Sequence, residues 1–279
     1  MMQKPSSIEI LKNPCQLTDV NFNTSSLADH QSYQQQLHHL QTQLLKIQQA
    51  YFHLKQRAII VFEGWDASGK GGIIRKLTQK IDPRGFHVYP FSTPTAEQQS
   101  RHYLYRFQQC LPTAGSVAIF DRSYYGRVLV ERVEQFASLN EWQRAYQEIN
   151  EFERLLSDDE VKIIKLFIHI TPDEQLKRFN ERLNNPYKRW KLTEEDIRNR
   201  AKWADYEAAI HDMFNLTSTK QNPWHIIAGN KKWYARTQAL TLIVTALSEG
   251  IDIEPPPLDP TIIKLAQATL GLSYTNEYE

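Results

Sequence analysis

A chain of 279 residues with 41% hydrophobic and 23% charged side chains can build one sizeable core and is too apolar for global disorder. Its 33 Lys and Arg offset 32 Asp and Glu, which argues against nucleic-acid binding through overall charge, and no apolar run approaches a membrane-spanning length. The two cysteines, Cys15 and Cys110, form no CxxC pair, so neither a zinc site nor a disulfide framework is expected; a soluble protein of a reducing cytoplasm is, and the N-terminus has no apolar signal-peptide core.

Residues 1–28 read as an irregular arm, with Pro5, Pro14 and many Ser and Asn. From about Asp29 a helix is predicted, because Leu37, Leu40, Leu44, Ile47, Tyr51 and Leu54 alternate spacings of three and four. That stripe suits docking on the main domain or a dimer seam, and its shortness favours docking. Strands and helices then alternate. Ala58–Phe62 reads as a buried parallel strand, followed by a helix with Ile73, Ile74, Leu77 and Ile81 on one face. A second strand is predicted near His87–Phe91, a helix over Ala96–Cys110, a strand at Ser116–Phe120 and a helix over Asn140–Leu156. Val161–Ile170 is the next strand; Thr171–Glu174, a hydroxyl cap with Pro at N1 and acids behind it, starts a helix to about Leu183. The polar, basic segment 184–222 breaks the rhythm and is expected to leave the sheet edge. Trp224–Ala228 reads as a last strand with a helix after it. The implied fold is α/β, a parallel sheet covered on both faces. The expected organisation is an arm and helix over 1–57, a main domain over 58–249 with an inserted lid over 184–222, and a tail over 250–279.

Gly64-Trp-Asp-Ala-Ser-Gly69-Lys70-Gly71-Gly72 carries the strongest signal, since it follows a strand and opens a helix. Gly64, Ala67, Ser68, Gly69, Lys70, Gly71 and Gly72 are expected to cradle phosphate through backbone N–H groups, the helix N-terminus and the Lys70 ammonium. Gly71 stands where a Mg²⁺-binding Ser or Thr is usual. Asp66, inside the loop, and Asp121, at the end of the third strand, are therefore the expected Mg²⁺ carboxylates; a cap without metal is the alternative for Asp66. Arg122 is a candidate phosphate grip. Arg127 is another, in competition with an ion pair to Glu131 four residues on. Tyr124 and Tyr125 read mainly as packing residues. In the basic segment, Arg182, Lys188, Arg189 and Lys191 are the expected lid cations. Asn230-Lys231-Lys232-Trp233 resembles a guanine-reading NKxD motif but has Trp for the discriminating Asp, so a helix start is the better reading.

Taken in order, EGWDASGKGG, DPRGFHVYPFSTPT, AIFDRSYYGRVLVERVE, NPYKRWKLTEEDIRNRAKWADYEAAIHDM and PWHIIAGNKKWYAR resemble the type-2 polyphosphate kinase family over roughly residues 30–250. The resemblance implies a P-loop NTPase-like three-layer α/β/α sandwich related to thymidylate kinase, with a helical lid. It also implies Mg²⁺, inorganic polyphosphate as donor or acceptor, a nucleoside mono- or diphosphate as partner, and a homodimer or homotetramer. Asp66, Lys70, Asp121 and Arg122 match the family's two core motifs, and Arg182, Lys188 and Lys191 its basic lid. Lys70-Gly71-Gly72 and DRSYYGRVLVERVE look closest to the branch that phosphorylates AMP. An ADP- or GDP-phosphorylating enzyme, an ATP-dependent kinase of the same fold and a nucleotide-binding switch are the competing readings; membrane and nucleic-acid partners are not expected.

Overall fold

A computed structural model describes residues 5–23 and 29–273. Five strands form one parallel sheet in the order β2-β3-β1-β4-β5: β1 (Arg57–Gly64), β2 (Phe86–Pro90), β3 (Val117–Asp121), β4 (Val161–His169) and β5 (Trp224–Ala228). The helices are α1 (His30–Leu54), α2 (Lys70–Thr78), the single turns α3 (Ala96–Gln99), α4 (Tyr105–Gln108) and α5 (Val130–Val133), then α6 (Leu139–Asp158), α7 (Pro172–Asn184), α8 (Glu194–Ala201), α9 (Trp203–Thr217), α10 (Lys232–Ser248) and α11 (Pro260–Leu270). No described helix is long and apolar enough to cross a membrane.

The two-residue period of the strands assigns each side chain to a face. Ile59 and Val61 of β1, with Phe120 and Phe167, face a core closed by α6 and α9; Ala58, Ile60 and Phe62, with Ile164 and Leu166, face a second core closed by α1, α2 and α10. Burial on both faces explains why these strands read as unbroken apolar runs. On the first face Lys165, fully buried in β4, donates to Glu153 at 2.8 Å, to the Tyr125 hydroxyl at 2.9 Å and to the Thr217 carbonyl at 2.8 Å. Tyr124 and Tyr125 also donate to Glu153, so both tyrosines are packing residues, as expected.

The apolar stripe of α1 is buried against α10 within the chain from Leu37 to Tyr51, so docking on the main domain is the arrangement found. Leu54 is the exception: Lys55 ends the helix in the left-handed conformation, φ 59°, and Leu54 is exposed. Two other expectations also fail locally. Ile81 lies beyond α2, which stops at Thr78. The expected helix over 96–110 is two separate turns, because only Leu104 and Phe107 are buried there and so little apolar surface cannot hold four turns of helix. The segment 184–222 divides. Its second half, α9, is built into the core through Tyr206, Ala209, Ile210, Met213 and Phe214, while α8 buries Asp196 alone. Of the arm, residues 1–4 and 24–28 lie outside the described part, as do 274–279 of the tail; the arm joins the body where Ile10 bridges Thr219.

Candidate active site

Strand β1 lies between β3 and β4, and its carboxyl end opens into the loop that leads to α2. Ligand crevices in open parallel sheets form outside such strand ends. Gly64 closes β1 with φ 140°, and a Cβ there would lie 2.4 Å from the Ile168 carbonyl of β4, so only glycine lets the loop leave so close to its neighbour. Ala67 sits at φ 61° and Gly69 at φ 108°. The Lys70 ammonium curls back to donate to the carbonyls of Gly64, at 2.6 Å, and Trp65, at 3.3 Å, closing the loop into a ring with the first turn of α2 beside it. The Ser68 hydroxyl, in the same loop, is buried without a hydrogen-bond partner among the described residues.

Asp66 lies at the mouth of the loop. Arg122 donates to its Oδ1 at 3.1 Å and Asn199 of α8 to its Oδ2 at 2.9 Å, and Gln175 of α7 donates to its backbone carbonyl at 3.1 Å. The cap of α2 is Gly69, so Asp66 does not serve as one. Arg122 follows Asp121 at the end of β3 with φ 66°, a left-handed conformation that a bulky residue adopts only when its surroundings impose it. Its N–H reaches back to the Phe62 carbonyl at 3.0 Å, and its guanidinium bridges Asp66 and Glu195 of α8. Burial pulls the Arg122 pKa down, but the carboxylates of Asp66, Glu195 and Glu63 outweigh it and hold the pKa above the usual arginine value. The Asp121 carboxylate takes no partner among the described residues, and no group of three His, Cys, Asp or Glu among them could hold a metal. Behind both loops lies Glu63, fully buried and accepting from the Ser123 hydroxyl at 2.8 Å; burial pushes its carboxyl up to about 7, against the pull of Lys70 and Arg122.

The cleft at this mouth has Asp66, Arg122, Gln175, Glu195 and Asn199 at its polar rim, and Trp65, Leu129, Val130, Phe167 and Ile210 at its apolar floor. Of the four expected lid cations, Arg182 stands in the last turn of α7 and Lys188, Arg189 and Lys191 on the α7–α8 connection, and none of them lines the cleft. Arg182 pairs with Asp196 and the Lys191 carbonyl, Lys188 with Glu181, Arg189 donates to the Leu183 carbonyl, and Lys191 lies over the Trp190 ring. Arg127 is not with them. It lies on the turn after β3, paired with Glu131 at 3.0 Å and packed over Tyr103, so the helical i,i+4 pairing holds it where a phosphate grip was the competing expectation.

Three features escaped the sequence. Arg178 of α7, a charge within a basic run, is buried and donates to the carbonyls of Ala67, Ser68, Gly229 and Asn230, with its Nε on Glu174; it braces the phosphate loop against the loop after β5. Glu195 and Asn199 reach Arg122 and Asp66 across more than fifty residues of sequence. Trp65 stacks on Trp203 with ring centroids 3.6 Å apart. Only the i,i+4 spacing of Glu195 and Asn199, which aims both from one face of α8, was visible beforehand.

Comparison with known proteins agrees with this geometry. Residues 27–253 match the model of the family described as Polyphosphate kinase 2 (PPK2). The chain is 47% identical over 198 residues to the "Polyphosphate:AMP phosphotransferase" of Pseudomonas syringae pv. tomato, covering 71% of this chain but 40% of that protein. It is 38% identical to the "AMP/ADP-polyphosphate phosphotransferase" of Meiothermus ruber, covering 78% of this chain and 81% of that one. The crystal structure of Polyphosphate Kinase 2 from Arthrobacter aurescens TC1 superposes with a TM-score of 0.85 at 32% identity, covering 93% and 94% of the two chains. A glycine-rich loop ending β1 and an acidic-basic pair ending β3 stand at adjacent strand ends, joined by the Asp66–Arg122 contact, and the chain belongs to the polyphosphate kinase 2 family.

Proposed function

We propose that this chain transfers phosphoryl groups between inorganic polyphosphate and a nucleotide, with AMP the acceptor. The observation that carries the reading is the contact of Arg122, at the end of β3, with Asp66 in the loop that Lys70 closes; Arg182, Lys188, Arg189 and Lys191, at the end of α7 and in the connection after it, would supply the further cations. Two phosphate anions repel, so their reaction needs cations on both sides, in-line alignment and exclusion of water. In the forward direction an oxygen of the AMP phosphate bonds to the terminal phosphorus of polyphosphate, and the bridging P–O bond breaks, leaving ADP and a chain one phosphate shorter. The attacking phosphate, with a second pKa of about 6, is already largely ionised near neutrality, so no strong base is required.

Lys70 would leave its two carbonyl partners, both in the same loop, for phosphate oxygens. Arg122 can exchange one carboxylate for a phosphate while Asp66 or Glu195 keeps hold of the other side of its fork. Mg²⁺ fits these donors: it takes one or two carboxylates together with water and phosphate oxygens, and Asp121, whose carboxylate has no partner among the described residues, ends the strand that pairs with β1, ahead of Asp66. Asp66 and Asp121 would hold it, and when bound it would offset charge on the transferring phosphate.

AMP is preferred because the 47% identical relative is named for AMP; the name of the Meiothermus relative keeps ADP as the second reading. A coupled assay with long-chain polyphosphate and Mg²⁺ against AMP, ADP, GMP and GDP tests both. Turnover fastest with AMP is expected. A faster rate with ADP or GDP would replace the acceptor, and turnover with ATP but not polyphosphate as donor would replace the function.

A further inference from the structure

Helices α8 and α9 are consecutive but differently attached. Between them Lys202 leaves the helical conformation, with ψ 30°, and α9 starts at Trp203. Beyond that break α9 is fastened by apolar burial, whereas α8 is held by polar contacts: Glu195 to Arg122, Asn199 to Asp66, Arg198 to Glu134, and Arg200 to Gln175 and the Pro172 carbonyl. Single polar contacts at a partly open rim can exchange partners with water or a ligand one at a time, while a buried apolar face cannot. The break at Lys202 is thus a hinge, and the residue at its fixed end is Trp203.

Trp203 lies flat on Trp65, the loop residue between Gly64 and Asp66, with an interplanar angle of 7°. Trp65 cannot turn away. Its indole N–H donates to His169 Nδ1 at 2.9 Å, at the end of β4, and Phe22 packs on the other ring of that pair. The Trp65 carbonyl accepts from Lys70, and the next residue is Asp66, which Asn199 holds from α8. Two lines therefore join helix and loop, a rigid one through the rings and an exchangeable one through Asn199.

We propose that the Trp65–Trp203 stack is the fixed pivot on which α8 opens and closes over the phosphate loop, which makes both tryptophans positioning residues for the transfer. The flat stack lets the helix rock without losing its distance from the loop, so Asn199 and Glu195 return to Asp66 and Arg122 at each closure. The effect on turnover rests on the function proposed above; the pivot itself does not.

Trp203→Leu keeps apolar volume and loses the flat face, and Trp203→Phe keeps a flat face. The expected result is a kcat for polyphosphate-dependent transfer about tenfold or more lower in Trp203→Leu, with the nucleotide KM within about twofold, and most of the kcat regained in Trp203→Phe. A second readout needs no turnover: trypsin cleavage at the exposed α7–α8 connection with and without inorganic tripolyphosphate. Tripolyphosphate should slow cleavage of the unmodified protein and of Trp203→Phe, and protect Trp203→Leu at least about threefold less. Protection that depends on the ring, in a protein that does not use polyphosphate, would sink the proposed function and uphold the pivot. Equal kcat and equal protection in Trp203→Leu, equal losses in both variants, or no protection of the unmodified protein would each overturn the pivot.

Discussion

Asp66 is gripped from two sides, by the guanidinium of Arg122 and the amide of Asn199, and this fixes what a substitution there does. Asp66→Asn keeps the shape and an acceptor but removes the charge that Arg122 answers. We expect turnover to fall by about 100-fold or more with the melting temperature nearly unchanged; steady-state rates beside a thermal melt check it, and near-native turnover would remove the carboxylate from the mechanism. Lys165 offers a contrasting case. It and Glu153 are both buried, at 0% and 1% side-chain exposure, and only their mutual contacts and those of Tyr124, Tyr125 and Thr217 offset their desolvation. Lys165→Ala leaves Glu153 without its cation and should cost about 3–5 kcal/mol in urea unfolding, whereas Lys165→Met combined with Glu153→Gln should recover most of that. A single substitution as mild as the double one would contradict the pairing account.

At the scale of elements, α7 holds the site together without touching the cleft floor. Its start is written in sequence as Thr171 and Pro172, and its thirteen residues bring Gln175 and Arg178 to the phosphate loop, then Arg182 to the connection before α8. The fork of Arg178 spans two loops; an ammonium has no planar fork and cannot match four carbonyls at once. Arg178→Lys should therefore lower stability by about 2–3 kcal/mol and loosen both loops together. Hydrogen exchange at residues 66–69 and 229–230 is the measurement, and faster exchange in one loop alone would deny the brace.

For the whole molecule the buried titrating groups set the dependence on pH. Glu63 is pushed up to about 7 from an ordinary 4.5. Between those values the folded protein binds the extra proton, so this group's contribution to stability falls as pH rises from about 4.5 to 7 and is level above. Burial pushes His169 down to about 4 from 6.5, so the unfolded chain takes up the proton first and the contribution of this group is lost as pH falls from 6.5 to 4. The two slopes oppose one another over most of their range. Glu63→Gln should expose the histidine slope, giving a melting temperature that falls more steeply below pH 6.5 than in the unmodified protein. A difference between the two proteins that stays flat from pH 4 to 8 would refute the burial account of Glu63.

What the sequence determined by itself is local or periodic. Gly64, Gly69 and Lys70 lie in one short loop, and the geometry they need is carried by their own backbone; Ala58–Phe62 announces burial by composition, and Trp224–Ala228 a strand; the α1 stripe announces a face. Helix 96–110 went wrong because propensity does not say how much of a segment the core will accept. Tertiary structure alone decided that Arg178 braces a loop 110 residues away, that Glu63 is buried behind Ser123, and that Trp203 lies on Trp65. The physical reason is that a charge or a ring has no preferred partner until the parallel sheet brings the ends of β1, β3 and β4 side by side, and only then do distance and desolvation choose among the candidates.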